Sequence, residues 1–292
     1  MELPKSGMSK TEVLSALDRA RENDAKWRQG RTFSLVYWAG DDVLELLQAA
    51  FFKYFSENAL NPLAFPSLRR FETEVVAMAG GLLGHEGAAG SMTSGGTESI
   101  LMAVKTARDW ARAEKNITEP EMIVPESVHP AFEKAAHYFG VRIVHAPVDA
   151  SMRCDVDAMK ELITDKTILL VGSAPAYPHG VVDPITEIAK LAQDHGILCH
   201  VDACVGGFML PFARKLGRDV PPFDFSVPGV TSISADIHKY GWAAKGASVV
   251  LYRTRELRRH QFVVYTDWSG GLYGSPSFPG TRPGGPIAAA WA

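Results

Sequence analysis

Three short runs hold residue types from which chemistry could be built. In SMTSGGTESILMAVKTARDW, Thr93, Ser94, Gly95, Gly96, Thr97 and Glu98 stand directly ahead of a long helical pattern. Adjacent glycines let backbone approach an anion, and the free amides of a helix start attract negative charge. The same residues would equally serve as an N-capping turn, with Thr97 or Ser94 as the cap. Neither GxxxxGK[ST] nor GxGxxG spacing is present. In HVDACVGGF, Asp202 closes an otherwise apolar run. A carboxylate there needs a partner, which a protonated heterocyclic nitrogen would supply; capping the next turn is the simpler use. SISADIHKYGWAAKG adds Asp236, His238, Lys239, Tyr240 and Lys245 after a short apolar stretch. A lysine beside a strand end can form a Schiff base if burial or nearby positive charge lowers its pKa, and His238 could meet a phosphate oxygen. Each run alone is ordinary. An anion loop, a carboxylate and a lysine at successive strand ends together describe the needs of a phosphorylated pyridinium aldehyde.

Two further residues fall at comparable places. His129, in PESVHPAF, could stack on a flat ring or cap the following helix. Tyr177, in SAPAYPHG, could donate or accept a proton from a loop bounded by prolines, with ordinary loop packing as the competing use. The nine histidines show no HExxH or other metal spacing, so no metal is expected, and no GxSxG nucleophile elbow occurs.

These runs need elements to position them. Apolar residues Val13, Leu14, Leu17 and Ala20 among charged neighbours predict a helix over 10–28, and Val43, Leu44, Leu47 and Phe51 predict another over 41–54 with Asp41 or Asp42 as cap. Pro62 and Pro66 interrupt the pattern before a helix over 68–83. From residue 91 strand-like and helical runs alternate: EMIVPES, then 130–139; VRIVHAPV, then 155–163; TILLVGSA, then 183–195; then ILCHVDAC, SISAD and ASVVLYR. Such alternation predicts an α/β fold with a mostly parallel sheet between helices and a ligand beyond the carboxyl ends of the strands.

Composition bounds the function. The 292 residues are 46% hydrophobic, enough for one large domain or one domain plus an extension. Thirty-three acidic and 30 basic side chains give a formal charge of -3 without long runs of one sign, which argues against a nucleic-acid surface. Cys154, Cys199 and Cys204 form no CxxC pair and suit a reducing compartment, so a soluble, cytoplasmic protein is expected. No stretch is long and apolar enough to span a bilayer. The tail from His260 is rich in Gly, Pro and aromatics and closes on IAAAWA, the opening of an apolar helix, as though a longer chain continued.

From about Gly30 onward the chain resembles the group II, glutamate-decarboxylase-like branch of the fold-type I pyridoxal-phosphate enzymes. The resemblance rests on VYWAGDD, NPLAFPSLRRFE, TSGGTESILMA, SAPAYPHG, VDACVGGF, DIHKYGWAAKG and SFPGTRPGG. NPL with FPSLR, the PHG loop and GGF are most similar to the members that cleave phosphorylated sphingoid bases. The resemblance implies pyridoxal 5'-phosphate as cofactor, carried as a Schiff base on Lys239, with Asp202 on the pyridine nitrogen and His129 stacked on the ring. Gly95, Gly96 and Thr97 would hold the phosphate with His238, and Tyr177 would be catalytic. Lys245, Tyr37 and Asn61 would bind the substrate. It further implies a homodimer with shared active sites, the stretch from Tyr273 to Gly285 reaching a partner subunit, and an inactive monomer. Residues 1–60 would form an N-terminal helical extension and substrate-side segment, and 61–292 the cofactor-binding large domain, without the family's C-terminal small domain. The implied reaction is retro-aldol cleavage of sphingosine 1-phosphate to a long-chain aldehyde and phosphoethanolamine. The substrate would be a phosphorylated sphingoid base or another small amine, and the alternatives are an amino-acid decarboxylase using the same cofactor, or a noncatalytic truncated homologue acting as a cofactor-binding or partner protein. Two departures stand out: Ala64 replaces an expected substrate-contacting histidine in a shortened loop, and Ala176 takes a place that is often polar.

Overall fold

The computed structural model describes residues 2–292 and comprises two compact units, Met1–Trp38 and Ala39–Ala292. In the first, helix α1 (Lys10–Ala20) starts on a capping box: Glu12 N–H donates to Ser9 Oγ at 3.3 Å, and Ser9 N–H donates to Glu12 Oε2 at 2.7 Å. It stops well before residue 28. Glu22 and Asp24 instead make tight bonds to carbonyls three residues back, where Asn23 and Asp24 favour turns over helix. Tyr37 belongs to this unit.

The larger unit opens with α2 (Asp41–Lys53) and α3 (Pro66–Leu82). Neither Asp41 nor Asp42 caps α2. The N-cap is Gly40, whose φ of 133° suits glycine, and the two carboxylates lie in the first turn beside the positive end of the helix. Helix α3 starts two residues earlier than its apolar pattern predicts, because Pro66 is preorganised for the first helical position. Strands and helices then alternate: β1 (Ala89–Thr93), α4 (Gly96–Lys115), β2 (Glu121–Pro125), α5 (Ala131–Phe139), β3 (Arg142–Ala146), α6 (Val156–Glu161), β4 (Thr167–Ser173), α7 (Ile185–Asp194), β5 (Leu198–Asp202), α8 (Leu210–Lys215), β6 (Ser232–Ala235) and β7 (Ser248–Tyr252). After α9 (Arg255–Arg258), a hairpin of β8 (Val263–Tyr265) and β9 (Tyr273–Ser275) leads to α10 (Gly284–Trp291).

The main sheet has the order β1-β7-β6-β5-β4-β2-β3. It is parallel from β6 to β3, and β7 runs antiparallel to both β6 and β1. Strand β1 therefore points the same way as the parallel set, and its carboxyl end falls on the same edge. Alternating side chains feed two cores. Ile123, Leu170, Cys199, Val201 and Ile233 face one side, and Met122, Val124, Leu169, Val171 and Val250 face the other with Phe132. Helices cover both faces, which is why the central strands read as continuous apolar runs. Helix α10 closes the unit: Trp291 stacks on Phe71 of α3 with ring centroids 4.5 Å apart, and a Cβ at Gly285 would lie 2.9 Å from the Phe51 ring of α2.

Candidate active site

The carboxyl edge of β1, β5 and β6 gathers the sequence runs. Helix α4 begins there at Gly95 with no side-chain cap, so the capping reading of Thr97 and Ser94 does not hold. Ser94 instead donates its N–H and its hydroxyl to Glu98 Oε2, each at 2.7 Å, because Glu98 is buried one turn ahead. Buried hydroxyls anchor the loop from beneath: Thr93 Oγ1 lies 2.6 Å from Ser99 Oγ, which lies 2.8 Å from Ser248 Oγ of β7. A Cβ at Gly96 would sit 2.7 Å from both Asp236 Oδ2 and Cys204 Sγ, so only glycine fits. A Cβ at Gly95 would lie 3.4 Å from His238 Cε1, which puts that imidazole against the loop.

Beneath the loop lies Asp236, 2% exposed, a residue to which sequence reasoning gave no role. Its Oδ2 is 3.0 Å from Lys239 Nζ and 3.6 Å from His238 Nε2, while Oδ1 is buried without a hydrogen-bond partner. Burial alone would raise this carboxyl's pKa, but His238 and Lys239 hold it below the ordinary value. The same contact works against a lowered lysine pKa. Burial disfavours the Lys239 ammonium, yet the negative charge around it, Asp236 foremost, outweighs that and raises its pKa. His238 is oriented by its own backbone neighbours, since Ala247 N–H donates to its Nδ1 at 3.2 Å.

Asp202, buried at the end of β5, does cap the next turn: its Oδ1 accepts Cys204 N–H at 3.1 Å and the Ser234 hydroxyl at 3.3 Å. Both of these hydrogen bonds fall on Oδ1, which leaves Oδ2 for a further partner. Behind it, a glycine is again required at 206, where a Cβ would come within 2.2 Å of the Ala174 carbonyl oxygen of the loop after β4.

The remaining residues lie further out. His129, after β2, accepts Ala131 N–H on Nδ1 at 3.1 Å, the helix-start role, with its ring exposed. Tyr177, half exposed, rides a loop clamped at its base by buried Asp183, whose Oδ2 accepts Ser173 N–H at 2.7 Å. Lys245 donates to the His238 carbonyl at 2.7 Å; burial pulls its pKa down. Asn61 spends its side-chain oxygen on the turn ahead of α3, accepting Leu63 N–H at 2.9 Å. Structure thus joins Gly95, Gly96, Asp202, His238 and Lys239 into one cluster, with Lys245 at its margin. Asp236, Cys204 and Ser234 were missed, although a signal existed. Ser232, Ser234 and Asp236 alternate with Ile233, Ala235 and Ile237, a polar row where a buried strand should be apolar on both faces. Among the described residues no group of three or more His, Cys, Asp or Glu could hold a metal ion, and no helix is long and apolar enough to cross a membrane.

Residues 25–270 match the pyridoxal-dependent decarboxylase conserved domain. Over 99% of its length the chain is 52% identical to a sphingosine-1-phosphate lyase of Arabidopsis thaliana, and it is 35% identical over its full length to a probable L-aspartate decarboxylase of Pyrococcus furiosus. It spans 55% of the first relative and 77% of the second. A solved structure of a Burkholderia pseudomallei sphingosine-1-phosphate lyase superposes with a TM-score of 0.97 at 44% identity, covering 100% of this chain and 69% of that one. The chain spans about half the length of the curated lyases that it matches.

Proposed function

The chain belongs to the pyridoxal-dependent decarboxylase family, and from that premise we propose that it is a carbon–carbon lyase acting on phosphorylated sphingoid bases such as sphingosine 1-phosphate. One observation carries the choice within the family: identity of 52% to the plant lyase over 99% of the chain, against 35% to the archaeal decarboxylase.

The cluster supports pyridoxal phosphate as cofactor. A loop in which a Cβ at Gly96 would collide with buried atoms suits close approach by a phosphate, with the amides of Gly95, Gly96 and Thr97 and the imidazole of His238 as its partners. Asp202, its Oδ1 already engaged, has Oδ2 for a protonated ring nitrogen. Lys239 would supply the amine that holds the cofactor, and Asp236 Oδ2 lies 3.0 Å from that amine. When bound, the cofactor supplies an electrophile for the substrate amine and an electron sink for the breaking carbon–carbon bond. Around it, His129 would stack on the ring, Tyr177 or Lys239 would take the proton of the C3 hydroxyl, Lys245 and Tyr37 would bind the substrate phosphate, and Asn61 would make a further substrate contact. Products are a long-chain aldehyde and phosphoethanolamine.

We further read the working form as a homodimer in a reducing, cytoplasmic setting. Exposed Val264, Trp268 and Leu272 of the β8–β9 hairpin support a partner surface, and three free, buried cysteines support the compartment. The test is to mix cofactor-loaded protein with sphingosine 1-phosphate and measure products by mass spectrometry. Phosphoethanolamine with the matching aldehyde is expected; neither product, with CO2 released from L-aspartate, would establish the decarboxylase reading that Ala64 leaves open.

A further inference from the structure

Asp202 has a hydrogen-bonded support behind it that the reaction does not use directly. His200 lies two residues earlier on β5, fully buried against Phe132, with ring centroids 6.0 Å apart. Its Nδ1 is 2.9 Å from Ser232 Oγ and its Nε2 is 3.2 Å from Ser234 Oγ. Ser234 Oγ in turn is 3.3 Å from Asp202 Oδ1, and the Cys204 thiol donates to the same serine oxygen at 3.4 Å. Pairing of β5 with β6 sets Ser232 beside His200 and Ser234 beside Asp202, so the row is built by strand register alone.

Proton counting gives this row a direction. Burial pushes the His200 imidazole down to about 4, so the ring is neutral, with one donor nitrogen and one acceptor. Ser234 donates to Asp202 Oδ1, which commits its single hydroxyl proton there. Towards His200 the serine can then only accept, which places the imidazole proton on Nε2. The bare Nδ1 in turn receives the Ser232 proton. Each assignment forces the next, and polarisation along such a chain strengthens its last bond.

We propose that His200 is a positioning residue: neutral and protonated on Nε2, it drives Ser234 to donate into Asp202 Oδ1, which turns Oδ2 to the ring nitrogen of the cofactor. This rests on the reading of Asp202 as that nitrogen's partner. Two measurements test it. In the ligand-free protein labelled with nitrogen-15 histidine, NMR near neutral pH should show a neutral, Nε2-protonated ring whose signal is lost in His200→Gln. An Nδ1-protonated ring or an imidazolium at that position overturns the relay. In the loaded protein, Ser234→Ala should weaken pyridoxal phosphate binding about tenfold or more and move the absorption band of the bound cofactor. Ser234→Thr, which keeps the hydroxyl, should stay near the parent in both. Equal behaviour of the alanine and threonine variants overturns the proposal even if the tautomer is as expected. Parent protein that takes up no pyridoxal phosphate overturns the cofactor reading and the purpose of the relay with it, while the tautomer measurement judges the relay by itself.

Discussion

At the amino edge of the sheet, where β2, β4 and β5 begin, an open hollow is lined by Lys115, Lys160, Thr164, Asp165, Thr167 and His195. Several polar groups there are already engaged. Lys115 donates to the Gly196 carbonyl, and Thr164 N–H donates to Thr167 Oγ1 at 2.9 Å. Buried Glu121, at the start of β2, takes Arg142 at 2.7 Å and the Thr164 hydroxyl at 2.9 Å. The carboxyl edge of the sheet carries unmet demand. Asp236 Oδ1 is buried without a partner, and Asp202 takes both the Cys204 and the Ser234 hydrogen bond on one oxygen. Polar groups buried there at a cost and left incomplete are places where a further partner would be accommodated.

The contrast can be broken by substitution at either edge. The largest effect belongs to Lys239→Ala, which should abolish both product formation and covalent retention of the cofactor, measured by mass spectrometry of the intact protein. Loss of neither would move the chemistry away from this edge. Next comes the protonation of His200. Its folded pKa of about 4 lies below the ordinary 6.5, so the unfolded chain binds a proton first as pH falls. Stability should be whole above about pH 6.5 and decline towards pH 4 by about 3 kcal/mol, and His200→Gln should flatten that part of the urea-denaturation profile. Gly96→Ala forces a Cβ against Asp236 and Cys204 and should cost about 2 kcal/mol while weakening cofactor binding, read by thermal melts and by titration. The smallest change belongs to the opposite edge. Arg142 is 61% exposed, so Arg142→Ala should lower stability by about 1 kcal/mol and leave cofactor affinity unchanged. An affinity loss there would join the two edges that the structure keeps apart.

Much of this was legible from residue order because parallel strands covered on both faces are written as apolar runs. TILLVGS became β4 and SVVLY became β7. Strand β1 was hidden because AGSMT consists of small and polar residues; it is buried by α3 and paired to β7, neither of which its own side chains announce. Nor does β7 announce that it runs against its neighbours, since direction is fixed by short connections and not by side-chain pattern. At the site, Lys239, Asp202 and the double glycine were visible as residue types at strand ends. Asp236 was not, because its importance comes from Gly96, 140 positions earlier, being pressed on it by tertiary packing.

Helix α10 gives the polypeptide an order of completion. The apolar sides of α2 and α3 meet Ile287, Ala288 and Trp291 only after every strand of the sheet has been made. During synthesis those early helices must wait, with Phe51 and Phe71 uncovered, while the sheet assembles downstream of them. Contacts between such distant stretches form late, after the loops between them have closed. A ribosome making this chain therefore carries these two apolar helix faces uncovered until α10 emerges, and a chaperone that shields newly made apolar helices would find a target in the first third of the sequence.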